Sequence, residues 1–429
     1  MTKTAVTVLL ALISISQFAH AAGYEKGVMW SGRFSGVANS ATASVKGAEA
    51  LYFNPAGLEP HKGAKQFSFN ISPTDTQFGG PATQANVGTN SDTAISPVFS
   101  ALYSQPINED WAFGFGAFNS AGTSINYDDL SFPGYHTTPS LRSQLAVTEI
   151  SAGLAYKVDE TFRIGAAWRF AYTTGSFAEA TQELVVSTLT AVEIDNLVAY
   201  NYDGFRFGMQ WEPTEHLGFG LNYRSELDIS AHGPSSGKME YQPTGARTNI
   251  VGDTAQVSTV LPMQISLGSY YDIDPGVWRL YLEYVWTQYS RNQNIGVSST
   301  LQYNQAVIGG SNVLVPVSAP NIEQRWMDES DVRVAAEYVG SKWPIRVGYI
   351  FASQVSDSGF ARVIYSPPGP THTITLGTGR PLTNNWRLDG GLEYTFSVGE
   401  VDSAMQPDTY AGDYYATVYA LHLGTSYFF

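Results

Sequence analysis

The 429-residue chain contains no cysteine. Disulfides, thiol catalysis and cysteine-based metal sites are therefore excluded, and stability has to come from packing and hydrogen bonding. Charge is also scarce, at 14% Asp, Glu, Lys and Arg, against roughly 25% in ordinary soluble proteins. Past the N-terminal segment there are no long apolar runs, and the mean hydropathy of −0.12 is too polar for a bundle of membrane helices. A net charge of −15 argues against nucleic acid as a partner. The seven histidines are scattered. No HExxH, no paired metal spacing and no glycine-rich phosphate loop occurs. No catalytic residue, metal or cofactor is expected.

What is present in quantity is aromatic and small: 26 Tyr, 22 Phe, 9 Trp and 41 Gly. A chain rich in these residues, poor in charge and with its apolar residues spaced apart reads as β-rich. The N-terminus has a separate role. Lys3 gives a short positive region, Ala5 to Phe18 form an apolar core, and Ala19-His20-Ala21 fits a small-x-small cleavage site. Residues 1–21 are expected to be a secretory signal peptide, because the apolar stretch is shorter than the ~20 residues that a membrane helix needs.

Beyond residue 64 the pattern has a period of two. In "TFRIGAAWRFAYTTG", Phe162, Ile164, Ala166, Trp168, Phe170 and Tyr172 share one face, and Arg163, Gly165, Ala167, Arg169 and Thr173 share the other. "VWRLYLEYVW" alternates Trp278, Leu280, Leu282, Tyr284 and Trp286 with Arg279, Tyr281, Glu283 and Val285. About fourteen such segments follow one another, and tight turns alternate with long polar connections such as 121–141, 176–198 and 232–255. Short turns at one end, long loops at the other, and Trp and Tyr at segment ends describe an outer-membrane barrel. A soluble sandwich or propeller would alternate too, but would not sort its loop lengths by end. The expected fold is all-β: a transmembrane antiparallel barrel of about 14 strands over residues 65–429. The last strand, "YYATVYALHLGTSYFF", ends on an aromatic residue, as in the signal read by the bacterial barrel-insertion machinery.

The segment "SGRFSGVANSATASVKGAEALYFNPAGL" precedes the first strand and ends in a turn. Asn54 can cap that turn, Pro55 can start it and Gly57 can end it. Together with "LPMQISLGSYY", "LEYVWTQYS" and "RWMDESDVRVAAEYV" further on, it resembles the long-chain fatty-acid and aromatic-hydrocarbon outer-membrane transporters of the FadL/TodX type. The resemblance is collinear from the mature end, Ala22-Gly23-Tyr24, to Phe429. It implies a barrel plugged by an N-terminal hatch, here residues 22–64, whose Asn54-Pro55-Ala56 triplet lies beside an inward kink in the third strand. It also implies transport of a hydrophobic small molecule with lateral exit through a gap at that kink, surrounded by outer-membrane lipids.

Several residues are candidates for these roles. In the third segment, "WAFGFGAFNSAG", Gly114, Gly116 and Asn119 are the candidates for the gap, although small residues there also simply make room for a hatch. Alternation points Arg163, Arg169, Arg206, Arg224, Arg333, Arg346 and Arg387 inward. Arg169 and Arg206 stand near mid-height on neighbouring strands, where they could meet a fatty-acid carboxylate. Glu149, Glu283, Glu337, Asp389 and Glu393 point inward as well, and pairing would make these charges mere braces for the plug. The connection 176–198 is apolar for an external loop, and Leu184, Val185, Leu189 and Val192 are candidates to line a capture groove on a helix there, the alternative being an ordinary helix packed on its neighbour. Rival readings are a non-specific porin, a surface adhesin, and an outer-membrane lipid hydrolase using His422.

Overall fold

A computed structural model describes residues 29–59, 64–183, 187–274, 276–306, 312–317, 321–402 and 409–429. The expected signal peptide, Ala22-Gly23-Tyr24, Leu184 and Val185 lie outside the described residues.

Fourteen barrel strands follow the period-two segments. They are β1 Gln66–Gly80, β2 Ala94–Pro106, β3 Trp111–Tyr127, β4 Leu141–Lys157 and β5 Phe162–Glu183. Next come β6 Thr188–Thr214, β7 Leu217–Arg224 continued by Leu227–Tyr241, and β8 Ala246–Leu261 continued by Gln264–Ile273. The circuit is completed by β9 Trp278–Thr287, β10 Glu329–Tyr338, β11 Ile345–Ala352, β12 Thr371–Pro381, β13 Trp386–Val401 and β14 Gly412–Phe428. Each pairs antiparallel with its neighbour, and β14 returns to β1 from Gln66↔Phe428 to Gly79↔Tyr415. Closure joins the last strand to the first, which is the condition for crossing lipid with strands. Among the described residues no helix is long and apolar enough to cross a membrane.

The wall is amphipathic as the alternation requires. Leu280, Leu282, Val334, Val347, Leu376, Leu392 and Leu421 are exposed on its outer face, while Arg333, Arg346, Glu337 and Asp389 are buried on the inner one. Exposed Trp111, Trp211, Trp278, Trp343 and Trp386 stand near the short turns and form an aromatic girdle there.

The structure corrects the sequence reading at the other end. Among the described residues of 176–198, namely 176–183 and 187–198, there is no helix. The described ones extend β5 and β6 beyond the wall, paired from Phe177↔Ile194 to Glu183↔Thr188. Likewise 232–255 continue β7 and β8 up to the tip pair Ala246↔Tyr241. The stretch "TLTAVEI" is rich in Thr, Val and Ile, residues that pack well on a pleated surface and lose rotamer freedom in a helix. Leu189 and Val192 are consequently buried in an apolar cluster instead of lining an exposed groove on a helix.

Residues 29–59 lie inside the barrel and are almost entirely buried. They seat on a belt of inward glycines. Gly36 packs on Gly377, Ala38 on Gly348, Ala43 on Gly268, Thr42 on Gly220, Leu51 on Gly153, and Leu58 on Gly114. A Cβ on Gly348 would lie 2.7 Å from the Ala38 amide nitrogen, so the wall can hold this segment only where it has no side chain.

Candidate functional site

The Asn54-Pro55-Ala56 triplet forms a short 3-10 turn, Pro55–Gly57. The Asn54 carboxamide does three things: its oxygen accepts from Ala56 N at 3.1 Å, and its nitrogen donates to Thr42 O at 2.7 Å and to Met209 O at 2.9 Å. One side chain therefore caps the turn, ties it to the rest of the plug and ties the plug to β6. Gln210 adds a second tie, donating to Val45 O at 3.0 Å. The triplet sits against Gly165 of β5 and Gly208 of β6, not against the third strand. The third strand instead meets the aromatic residues just before the triplet: Phe118 contacts Tyr52 and Trp30 at centroid distances of 5.3 and 6.0 Å.

The third strand breaks its ladder on one side only. β2 and β3 pair from Pro106↔Ala112 to Ser100↔Phe118 and then stop. β2 stays bonded to β1 as far as Ala94, and β3 stays bonded to β4 as far as Tyr127↔Leu141. A register shift between Asn119 and Ala121 leaves Ser120 unmatched against β4, a bulge that bends the strand. Residues 116–125 are buried throughout, which means both faces of β3 are covered, and Tyr127 donates to Val363 O at 3.4 Å. The strand therefore leans into the lumen. Asn119 stands where the ladder ends: its side-chain oxygen accepts from Phe99 N at 2.9 Å, and its nitrogen donates to Thr148 Oγ1 at 3.2 Å. Gly114 and Gly116 lie below the break, still paired with Ser104 and Leu102. Gly114 faces the plug at Leu58, and Gly116 gives room to Ala101 and Leu102 of β2.

Arg169 and Arg206 do meet, and Glu149 of β4 lies between them. Arg169 Nε donates to Glu149 at 3.0 Å and its Nη1 to Ser225 O at 2.8 Å. Arg206 forms a two-pronged ion pair with the same carboxylate, and Ser151 Oγ donates to it at 2.7 Å. Arg206 also lies over the rings of Tyr52 and Phe118, 5.2 and 5.3 Å from their centroids. The two guanidinium groups are 0% and 1% exposed, so the cluster braces the plug against the bent strand. The other inward charges are paired in the same way. Arg346 joins Glu337 and Asp389, Arg333 joins Glu283 and Asp331, and Arg163 joins Glu59 and Glu212. Sequence alternation places each of these on the inner face. It does not give the register that pairs them.

His422 faces inward and is fully buried, between Ser72 Oγ at 2.8 Å and Glu393 Oε2 at 3.2 Å. Ser72 also donates to Trp30 O at 3.2 Å. The group lies against the plug at Trp30 and faces away from lipid, which removes the outer-wall hydrolase arrangement.

Above the plug an apolar cluster fills the half of the barrel nearer the long connections, with Tyr127, Phe132, Phe177, Leu189, Leu197 and Trp326 among its members. The connection 128–140 covers it and is held by Glu240 at the tip of β7. That carboxylate accepts from His136 N at 2.9 Å, Thr137 N at 2.7 Å and Thr137 Oγ1 at 2.5 Å. Burial works to raise its pKa, and the Thr137 and His136 donors outweigh this and hold it at about 2. The unfolded carboxyl titrates near 4.5, so the clamp contributes fully above that pH and is lost progressively as pH falls from there to about 2. Glu240→Ala is expected to raise amide exchange in 130–138 at pH 7. The unaltered protein should keep its protection down to pH 4. Equal exchange in both proteins at pH 7 would refute the clamp.

The whole-chain comparisons agree with this architecture. The family model described as outer membrane protein transport protein (OMPP1/FadL/TodX) matches residues 12–429. A Pseudomonas aeruginosa FadL homologue shares the fold with a TM-score of 0.72 at 16% identity, over 95% of this chain and 99% of that one. The P. putida toluene transporter TodX gives 0.71 at 16%, over 93% and 98%, and the CymD monoaromatic hydrocarbon channel gives 0.64 at 15%, over 93% and 97%. No curated protein matches by sequence. The fourteen-strand barrel and the match across nearly the whole length place this chain in the FadL/TodX family, whose members are outer-membrane transporters of hydrophobic compounds and not enzymes.

Proposed function

We propose that the protein carries hydrophobic small molecules from the outside into the outer membrane by a sideways route. Cargo enters among the long connections, passes the apolar cluster above the plug, and leaves between β2 and β3 beyond Ser100 and Phe118. Such a route spares the cargo a crossing of the wet, charge-lined base of the barrel. The observation that carries the reading is the one-sided end of the β2–β3 ladder at Asn119. A wall in lipid must satisfy every backbone group, so a break supplied with its own side-chain partner is a built feature.

Uncharged cargo, such as an aromatic hydrocarbon, fits better than a fatty acid at Arg169 and Arg206, because a carboxylate there would compete with Glu149. Two of the similar structures are a toluene transporter and a monoaromatic hydrocarbon channel, which supports the same choice. The filled lumen speaks against a general porin. The lipid-facing wall and the aromatic final strand fit outer-membrane lipids and the barrel-insertion machinery as further partners. The test is uptake by proteoliposomes of labelled toluene, labelled oleate and sucrose. Toluene uptake well above protein-free vesicles, with sucrose excluded, is expected. Sucrose passage without hydrocarbon uptake would refute the proposal.

A further inference from the structure

We infer a second lateral opening in the wall, between β6 and β7, that exchanges the same apolar cargo with the membrane; this rests on the uptake reading above. The β6–β7 ladder runs from Thr214↔Leu217 to Arg206↔Arg224, and resumes only at Val198↔His232. One backbone bond remains at the lower edge, from Ser225 N to Phe205 O at 3.0 Å, and above it 199–204 and 226–231 form no ladder. Val198↔His232 keeps the register of the lower ladder, and the register shifts by one residue before the upper ladder continues at Ile194↔Ser235.

The parting has a source in β6. Against β5 it carries one surplus residue between Gly204 and Asn201, and another between Leu197 and Ile194. That slack lets β6 bow away from β7. Side chains then take over the missing backbone bonds. Trp168 Nε1 donates to Tyr202 O at 2.6 Å, Ser225 Oγ accepts from Phe205 N at 2.9 Å, Asn201 Nδ2 donates to Asp228 O at 2.8 Å, and Arg169 donates to Ser225 O at 2.8 Å. Asn119 does the same at the first opening.

The two openings lie on one row of hydrogen-bonded partners across the wall. Phe118, Glu149, Ala171 and Asn201 are successive cross-strand partners. Behind the second opening are the buried apolar side chains of Ala199, Leu227, Ile229 and Ala231, part of the cluster above the plug. In front of it Tyr200 and Tyr202 are 56% and 63% exposed and pack with Phe170 and Tyr172 at 5.0 to 6.3 Å. Flat aromatic faces on the lipid side and an apolar lumen behind them suit an uncharged hydrocarbon.

The absence of native cysteine makes a clean test possible. Asp203→Cys with Asp228→Cys places one thiol on each side of the opening, to be joined by a cleavable bis-maleimide. The pair is made in the full chain and in the same chain lacking Ser120, and labelled toluene uptake is measured before stapling, after stapling and after cleavage. Stapling is expected to lower uptake in the full chain by up to one-fifth. In the chain lacking Ser120 it should bring the residual uptake to that of protein-free vesicles, with recovery on cleavage. Residual uptake indifferent to the staple would overturn the second opening, leave the first intact, and reduce the aromatic group to part of the outer girdle. If deletion of Ser120 changes nothing while the staple alone stops uptake, the second opening stands and the β2–β3 route is what fails.

Discussion

Replacing Gly208 with valine is expected to unseat the plug turn and turn a closed barrel into a leaky one. The new side chain would occupy the place of the Asn54 carboxamide and press on Pro55. Asn54 would lose its bonds to Thr42, Met209 and Ala56, each unmade buried bond costing about 1–3 kcal/mol. The outer ladder would be unaffected, because the glycine faces inward. Single-channel conductance in planar bilayers should therefore rise several-fold, with the barrel still migrating as a folded, heat-modifiable band. Gly390→Ala is the control, since a Cβ there has ordinary clearance, 3.5 Å to His422 O. Unchanged conductance in Gly208→Val would mean that the triplet does not hold the plug.

Glu149→Ala should be the most damaging single change to stability. It leaves Arg169 and Arg206 buried without their shared carboxylate, and removing one partner of such a pair costs about 3–5 kcal/mol. The damage should extend beyond the pair, because Arg206 also packs on Tyr52 of the plug and Phe118 of the bent strand. A lower urea midpoint for the heat-modifiable band is the expected readout. Adding Arg206→Gln to Glu149→Gln should recover part of the loss, because both ends of one pair are then removed. A midpoint equal to that of the unaltered protein would show that the cluster is not a brace.

The barrel was legible because period-two alternation survives every irregularity of this chain. Runs such as Phe162 to Tyr172 show both faces, and turn lengths give the two ends. The strand extensions were harder to read, because Leu189 and Val192 also fit an apolar loop or helix. Only the Thr, Val and Ile content of that stretch points to a strand. Glycine in β3 is a fair sign of irregularity, yet the ladder ends at Asn119, where a polar side chain can replace a backbone partner. That replacement depends on Phe99, twenty residues away, and no local pattern encodes it. The inward arginines were visible one by one, whereas their neutralisation depends on register across β4, β5 and β6. The glycine belt had a signal that could have been used: Gly114, Gly153, Gly165, Gly208, Gly220, Gly268, Gly348 and Gly377 all fall on the inward face of their strands. A plug seated against the wall explains that regularity.

The sideways route is tested most directly by deleting Ser120. Without this surplus residue β3 pairs regularly with β4, loses its bend, and can continue its ladder with β2 past Phe99. Hydrocarbon uptake into proteoliposomes by the folded variant should fall at least five-fold, the remainder passing between β6 and β7. Uptake equal to that of the unaltered barrel would contradict the account.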